Sequence, residues 1–126
     1  MLKGLLAGGI TMGVAAVFPE TLVFPFFAVV LGVAAGIYPG MAMASSEGGY
    51  PAVEWMAALG FVAMGMVGLW VSPLYLAVAW LLHGLWDLLH HITALGDGIP
   101  EGYPGFCLAY DVVIGGFVAY MWAMGV

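Results

Sequence analysis

Five apolar runs, separated by short stretches rich in proline, glycine and acidic residues, take up nearly the whole chain. A helix of about 20 apolar residues matches the ~30 Å of hydrocarbon in a bilayer, so the pattern predicts five membrane helices. The first covers Leu2 to Phe18 and the second Thr21 to Tyr38, joined by a tight turn at Pro19-Glu20. The third covers Pro51 to Val71 and the fourth Pro73 to Leu95, with Ser72-Pro73 as the break between them. A polar loop from Gly96 to Pro104 leads into the fifth, Gly105 to Gly125. Pro51, Pro73 and Pro104 stand at or just before predicted helix starts, where the missing N–H of proline has no partner to lose. The first two runs are short and Pro25 interrupts the second, so four spans plus a re-entrant segment is the alternative. Met1 to Ala16 also has the form of a signal peptide, with Lys3 as its charged end and Ala15-Ala16 near a cleavage point; it is read here as a retained span. Either count gives an all-α membrane protein, one compact transmembrane helical bundle over residues 1–126.

Composition turns this pattern into a class. Of 126 residues, 65% are hydrophobic and 6% charged, against about 25% charged in a soluble domain. The partner this implies is the lipid bilayer. Lys3 is the only cation, which excludes nucleic-acid recognition through a basic patch. By the positive-inside tendency Lys3 also places the N-terminus on the cytoplasmic side. Cys107 stands alone, so no intrachain disulfide can form. Gly9-x-x-x-Gly13, Gly32-x-x-x-Gly36 and Gly36-x-x-x-Gly40 are spacings that let helix backbones approach, although glycine is common enough here for such matches to arise by chance. Tyr38, Tyr50, Trp55 and Tyr103 fall near one set of helix ends and Trp70, Tyr75, Tyr120 and Trp122 near the other, as two aromatic belts would. Trp80 and Trp86 lie deeper and call for another explanation.

The chemistry is concentrated in Leu82-His83-Gly84-Leu85-Trp86-Asp87-Leu88-Leu89-His90-His91, which holds all three histidines. A central Asp in a membrane helix costs roughly 2.5–3.5 kcal/mol on insertion scales and marks a functional site by default. Asp87 has no lysine or arginine to pair with, so its counter-charge is a proton, a histidinium or a metal. Alternating helix direction puts Glu54, Asp87, His90, His91, Cys107 and Asp111 in one membrane half. At 100° per residue His83, Asp87 and His90 share one face of the fourth helix, with His91 on its edge. Asp87 with His90 or His91 has chelating i,i+3 or i,i+4 spacing, like the Glu-x-x-His element of carboxylate metal sites in bundles. The candidate metal ligands are therefore Asp87, His90, His91, Asp111 and Glu54, with His83 and Cys107 as weaker members. Glu54 also serves as a candidate general base and Tyr110 as a hydrogen-bond donor. Each residue has a plainer competing role. His83 can bond a carbonyl across a helix interface, His90 and His91 can favour a helix C-terminus, Glu54 can complement a helix N-terminus, and Cys107 can be a small packed thiol.

Ala35-Gly36-Ile37-Tyr38-x-Gly40, Glu54, Leu82-His83-Gly84-x-Trp86-Asp87-x-x-His90-His91 and Pro104-x-Phe106-Cys107-x-x-Tyr110-Asp111 together resemble a family of small bacterial membrane proteins known only as a domain of unknown function. The resemblance spans about residues 35 to 111. It implies an integral membrane fold in a bacterial inner membrane and brings no activity with it. His-x-x-x-Asp-x-x-His-His is also similar to the histidine boxes of membrane di-iron desaturases and hydroxylases, but three histidines fall far short of the set such a centre needs. A mixed carboxylate and histidine site for zinc, iron, copper or manganese is chemically sufficient. Three functional classes follow: metal chemistry on a lipid-soluble substrate, a proton or metal-ion path, or a non-catalytic subunit or assembly factor of a larger membrane complex, with a homo-oligomer as a further partner.

Overall fold

Proline, serine and glycine set where the helices begin. In the computed structural model, which describes residues 1–45, 50–93 and 98–126, the helices are α1 (Leu2–Ala15), α2 (Glu20–Ala44), α3 (Pro51–Trp70), α4 (Pro73–Ile92) and α5 (Tyr103–Ala123). Pro51 and Pro73 open α3 and α4, and the Ser72 hydroxyl caps α4 by accepting the Leu74 N–H at 3.4 Å. Gly102, at φ 80°, turns the chain into α5, a backbone conformation that glycine adopts without steric cost. The predicted end of the fourth span at Leu95, the loop residues Gly96 and Asp97, and Glu47 all lie outside the described residues.

The second helix departs from the expected boundaries. Instead of ending at Tyr38 or turning back at Pro25, α2 is continuous for 25 residues and contains both Pro25 and Pro39. Each proline removes one internal N–H donor, but in an apolar medium the remaining backbone groups have no water to turn to and stay in the helix. The 14 residues of α1 give only about 21 Å at ~1.5 Å per residue. By length and composition α2, α3 and α5 can each cross a membrane, and α4 equals α3 at 20 residues while carrying the polar stripe. The chain is an integral membrane protein.

The central helix is α4, which packs against α5, α3 and α2, while α1 lies on the far side of α5 and α2 rests on α3. Leu76, Trp80, His83, Asp87 and His90, all buried on α4, follow the i, i+4, i+7 spacing of a single inward face. Its N-terminal half is a dry core, where Leu76 and Trp80 meet Phe27, Leu31, Ile114 and Val118. Lipid tails are as apolar as these side chains, so the core is held by close contact and dispersion rather than by escape from water. The C-terminal half of the same face is polar.

Close helix approach falls at different glycines from those in the sequence patterns. Gly9, Gly13, Gly36 and Gly40 have open space where a side chain would stand. At Gly84 a Cβ would come 3.2 Å from the Asp111 Cβ, and at Gly4 it would strike the Phe106 carbonyl oxygen. Gly84 thus lets α5 come near enough for Asp111 to reach α4, and Gly4 seats α1 on α5. Gly84→Val is expected to lower unfolding stability in detergent by about 1–3 kcal/mol through overpacking. Gly36→Val, at an open position, leaves the same unfolding curve unchanged.

Candidate metal centre

His83, Asp87 and Asp111 converge at the α4–α5 interface. His83 Nδ1 lies 2.5 Å from Asp111 Oδ2 and 3.7 Å from Asp87 Oδ2, and one ligand atom from each residue lies within 4.8 Å of the others. All three are buried, Asp87 completely. The i,i+4 step brings His83 and Asp87 together on α4, and the gap at Gly84 admits Asp111 from α5. Among the described residues, neither Asp87 oxygen has a hydrogen-bond partner, nor do His83 Nε2 and the Tyr38 hydroxyl. A buried carboxylate without hydrogen bonds is costly. The only cation in the chain, Lys3, sits on α1.

The donor set fits a metal ion on two physical grounds. Two carboxylates and a neutral imidazole around a divalent cation sum to zero charge, the condition under which such groups are tolerated away from water. Three protein ligands also leave coordination positions for water or substrate. The observed spacing is close to that of one bound ion without matching it. Ligand atoms sharing an ion at ~2.0–2.2 Å stand about 2.9–3.4 Å apart, so the His83–Asp111 contact at 2.5 Å is a hydrogen bond with one proton between nitrogen and oxygen. For an ion to take the place of that proton, His83 and Asp111 would have to move apart by roughly 0.4–0.9 Å. The group of His83, Asp87 and Asp111 can hold a metal ion.

A second polar cluster lies one turn further along α4. His90 Nδ1–H donates to the Trp86 carbonyl at 2.9 Å, and His90 Nε2 faces Glu54 Oε1 at 2.8 Å. Since Nδ1 carries its proton, the Glu54–His90 contact shares a second proton, held by the carboxyl or by the ring. Trp86 Nε1–H donates to the other Glu54 oxygen at 3.2 Å, which explains the depth of Trp86. The Tyr38 ring stacks on His90, with centroids 4.0 Å apart and planes 3° from parallel. Glu54 therefore turns inward rather than serving the start of its own helix.

Between α2 and α5 lies a cavity of about 200 Å³, lined mainly by apolar side chains, with His83, Asp111 and Tyr38 in its wall. Val33 and Ile37 at its edge are exposed on the outer face of α2, so the cavity opens on the outside of the bundle.

The structure distributes the sequence candidates over these features. Asp87 and Asp111 join His83, while His90 Nε2 faces Glu54 rather than Asp87. His91 is exposed. Cys107 lines the cavity but stands outside the His83, Asp87 and Asp111 group. The Thr11 hydroxyl donates to the Ala7 carbonyl at 3.0 Å, so in the 3.0 Å contact between Tyr110 and Thr11 it is Tyr110 that donates. Its proton ties α5 to α1 and is not aimed at the cluster. Six of the eight belt aromatics are exposed, whereas Tyr38 is 2% exposed and Tyr103 half-buried. Tyr38 is the site residue that the belt pattern hides. The signal that exposes it is parity, because the end of the second span must share a membrane half with Glu54 and His90.

Fold and site together define a polytopic helical membrane protein with a buried histidine and carboxylate cluster. Over residues 1–125 the chain matches the family described as "Family of unknown function (DUF6010)", and it belongs to that family. No curated protein and no solved structure matches it.

Proposed function

We propose that this protein is a membrane-embedded metalloprotein in which His83, Asp87 and Asp111 bind one divalent transition metal that acts on a lipid-soluble substrate. The observation that carries this reading is the meeting of two features. A buried cluster in which both Asp87 oxygens lack hydrogen bonds among the described residues reaches, through His83 and Asp111, the wall of a mainly apolar cavity between α2 and α5. One nitrogen and two oxygen donors suit zinc, iron, copper or manganese. Such an ion supplies Lewis-acid polarisation of an oxygen, or an activated water. Glu54 and His90 form a neighbouring hydrogen-bonded pair that holds Trp86 and, by stacking, Tyr38 in place. Lys3 at the N-terminus supports a cytoplasmic start, which puts the site in the cytoplasmic half of the membrane.

The test is metal analysis by mass spectrometry on protein purified in detergent without chelator. Near-stoichiometric transition metal is expected, lost in His83→Ala and kept in His91→Ala. A wild-type protein that retains no metal after incubation with zinc, manganese, copper and iron(II) would overturn the reading.

A further inference from the structure

The α2/α5 cleft shows what kind of molecule reaches the cluster. At about 200 Å³ it exceeds the ~150 Å³ of an engineered apolar cavity that takes up benzene, yet it is too small to enclose a whole lipid. An occupant from the bilayer therefore places only its end inside and leaves the rest of its chain along the outer edge, past Val33 and Ile37. Apart from His83 and Asp111 the wall is mostly apolar, with Val30, Ala34 and Phe106 among its residues, and it holds no lysine or arginine to pair with an anionic head. Three tyrosines line this space, Tyr38, Tyr103 and Tyr110; the Tyr110 hydroxyl is bonded to Thr11, and Tyr38, 2% exposed, is the one whose hydroxyl is fully buried without a hydrogen bond among the described residues. The hydroxyl interacts with the Asp87 carboxylate beside it, but at longer range or poorer angle than a full hydrogen bond. A buried hydroxyl left unpaired is costly, and stacking on His90 fixes the ring that bears it.

We infer that the cleft binds the end of a single-chain lipid bearing a hydroxyl or carbonyl oxygen, and that Tyr38 orients this end by donating its hydroxyl proton to that oxygen. The inference rests on the proposed function for its purpose, since it names the substrate class of that site, but the binding it describes stands without the metal. The oxygen is presented beside Asp87, where a metal held by His83, Asp87 and Asp111 would meet it. Tyr38 is in this account a positioning and specificity residue.

The experiment uses full-length protein in liposomes and dodecanol carrying a photoreactive diazirine near its hydroxyl end. Crosslinked residues are mapped by mass spectrometry, with metal content measured on the same samples. Crosslinks are expected to concentrate on the cleft residues of α2 and α5 and to be suppressed by excess dodecanol but not by dodecane. Tyr38→Phe keeps the stacked ring and the metal, and it should weaken competition by dodecanol about fivefold, the size of one net hydrogen bond. Crosslinks spread evenly over the lipid-facing surface would overturn the cleft as the binding site. Suppression by dodecane equal to that by dodecanol, or a Tyr38→Phe protein that behaves as wild type, would overturn the role of the oxygen and of Tyr38. Metal present with scattered crosslinks leaves the metal centre standing and this inference fallen; crosslinks in the cleft of a protein that binds no metal give the reverse.

Discussion

Asp87→Asn is expected to reduce bound metal to less than a tenth of the wild-type level, while the metal-free protein remains as stable as wild type or becomes more so. The two halves of this prediction have one cause. Asp87 is fully buried and neither of its oxygens accepts a hydrogen bond among the described residues. In the absence of an ion its charge is a liability, because a buried carboxylate without hydrogen bonds is costly, and a neutral amide of similar shape removes that cost. An amide is also a far weaker ligand than a carboxylate for a divalent cation, and the charge balance of the site is lost. Metal analysis paired with thermal unfolding of the stripped protein in detergent checks both halves. A stripped Asp87→Asn protein that unfolds several kcal/mol more easily would identify Asp87 as a structural residue. Unchanged metal content would remove it from the ligand set.

Glu54→Ala is expected to be the most destabilising change at the polar end, by about 3–5 kcal/mol, the cost of removing one member of a buried charged pair. The variant strands two groups at once, His90 Nε2 and Trp86 Nε1–H, which now meet the two carboxylate oxygens at 2.8 and 3.2 Å. It also frees the imidazole on which Tyr38 is stacked. Glu54→Gln should behave differently. Its amide oxygen can accept from Trp86 and its amide N–H can donate to His90 Nε2, in the tautomer already fixed by the bond from His90 Nδ1–H to the Trp86 carbonyl. Unfolding in detergent should therefore rank wild type and Glu54→Gln together and Glu54→Ala well below. Equal stability of all three would mean that the pair contributes nothing to the fold. Bound metal in Glu54→Gln should stay at the wild-type level, because Glu54 serves His90 and Trp86 rather than the cluster of His83, Asp87 and Asp111.

The length and apolarity of the five runs determined the class of protein and the position of nearly every helix, because a bilayer demands a given number of apolar residues and leaves proline few places to stand. Helical periodicity placed His83, Asp87 and His90 on one face of α4, and chain parity put Glu54 and Asp111 in the same membrane half. Those are properties of single helices and of their order. Which carboxylate meets which histidine is a property of neighbouring helices, and a single-helix pattern does not contain it. The gap at Gly84 brings α5 close at the level of His83, so that Asp111 pairs there. The first turn of α3 stands one turn further along α4, so that Glu54 pairs with His90. Spacing alone does not rank His90 against His83 as a partner of Asp87, since i,i+3 and i,i+4 look equivalent along one helix; the tertiary structure separates them by what stands opposite each. Tyr38 shows the same limit, because a tyrosine near a helix end suits an aromatic belt until packing against α4 turns it inward. The sequence by itself determined which side chains share a face and a depth, and only the tertiary structure decided their partners, since the relative height and approach of two helices depend on contacts that neither helix carries alone.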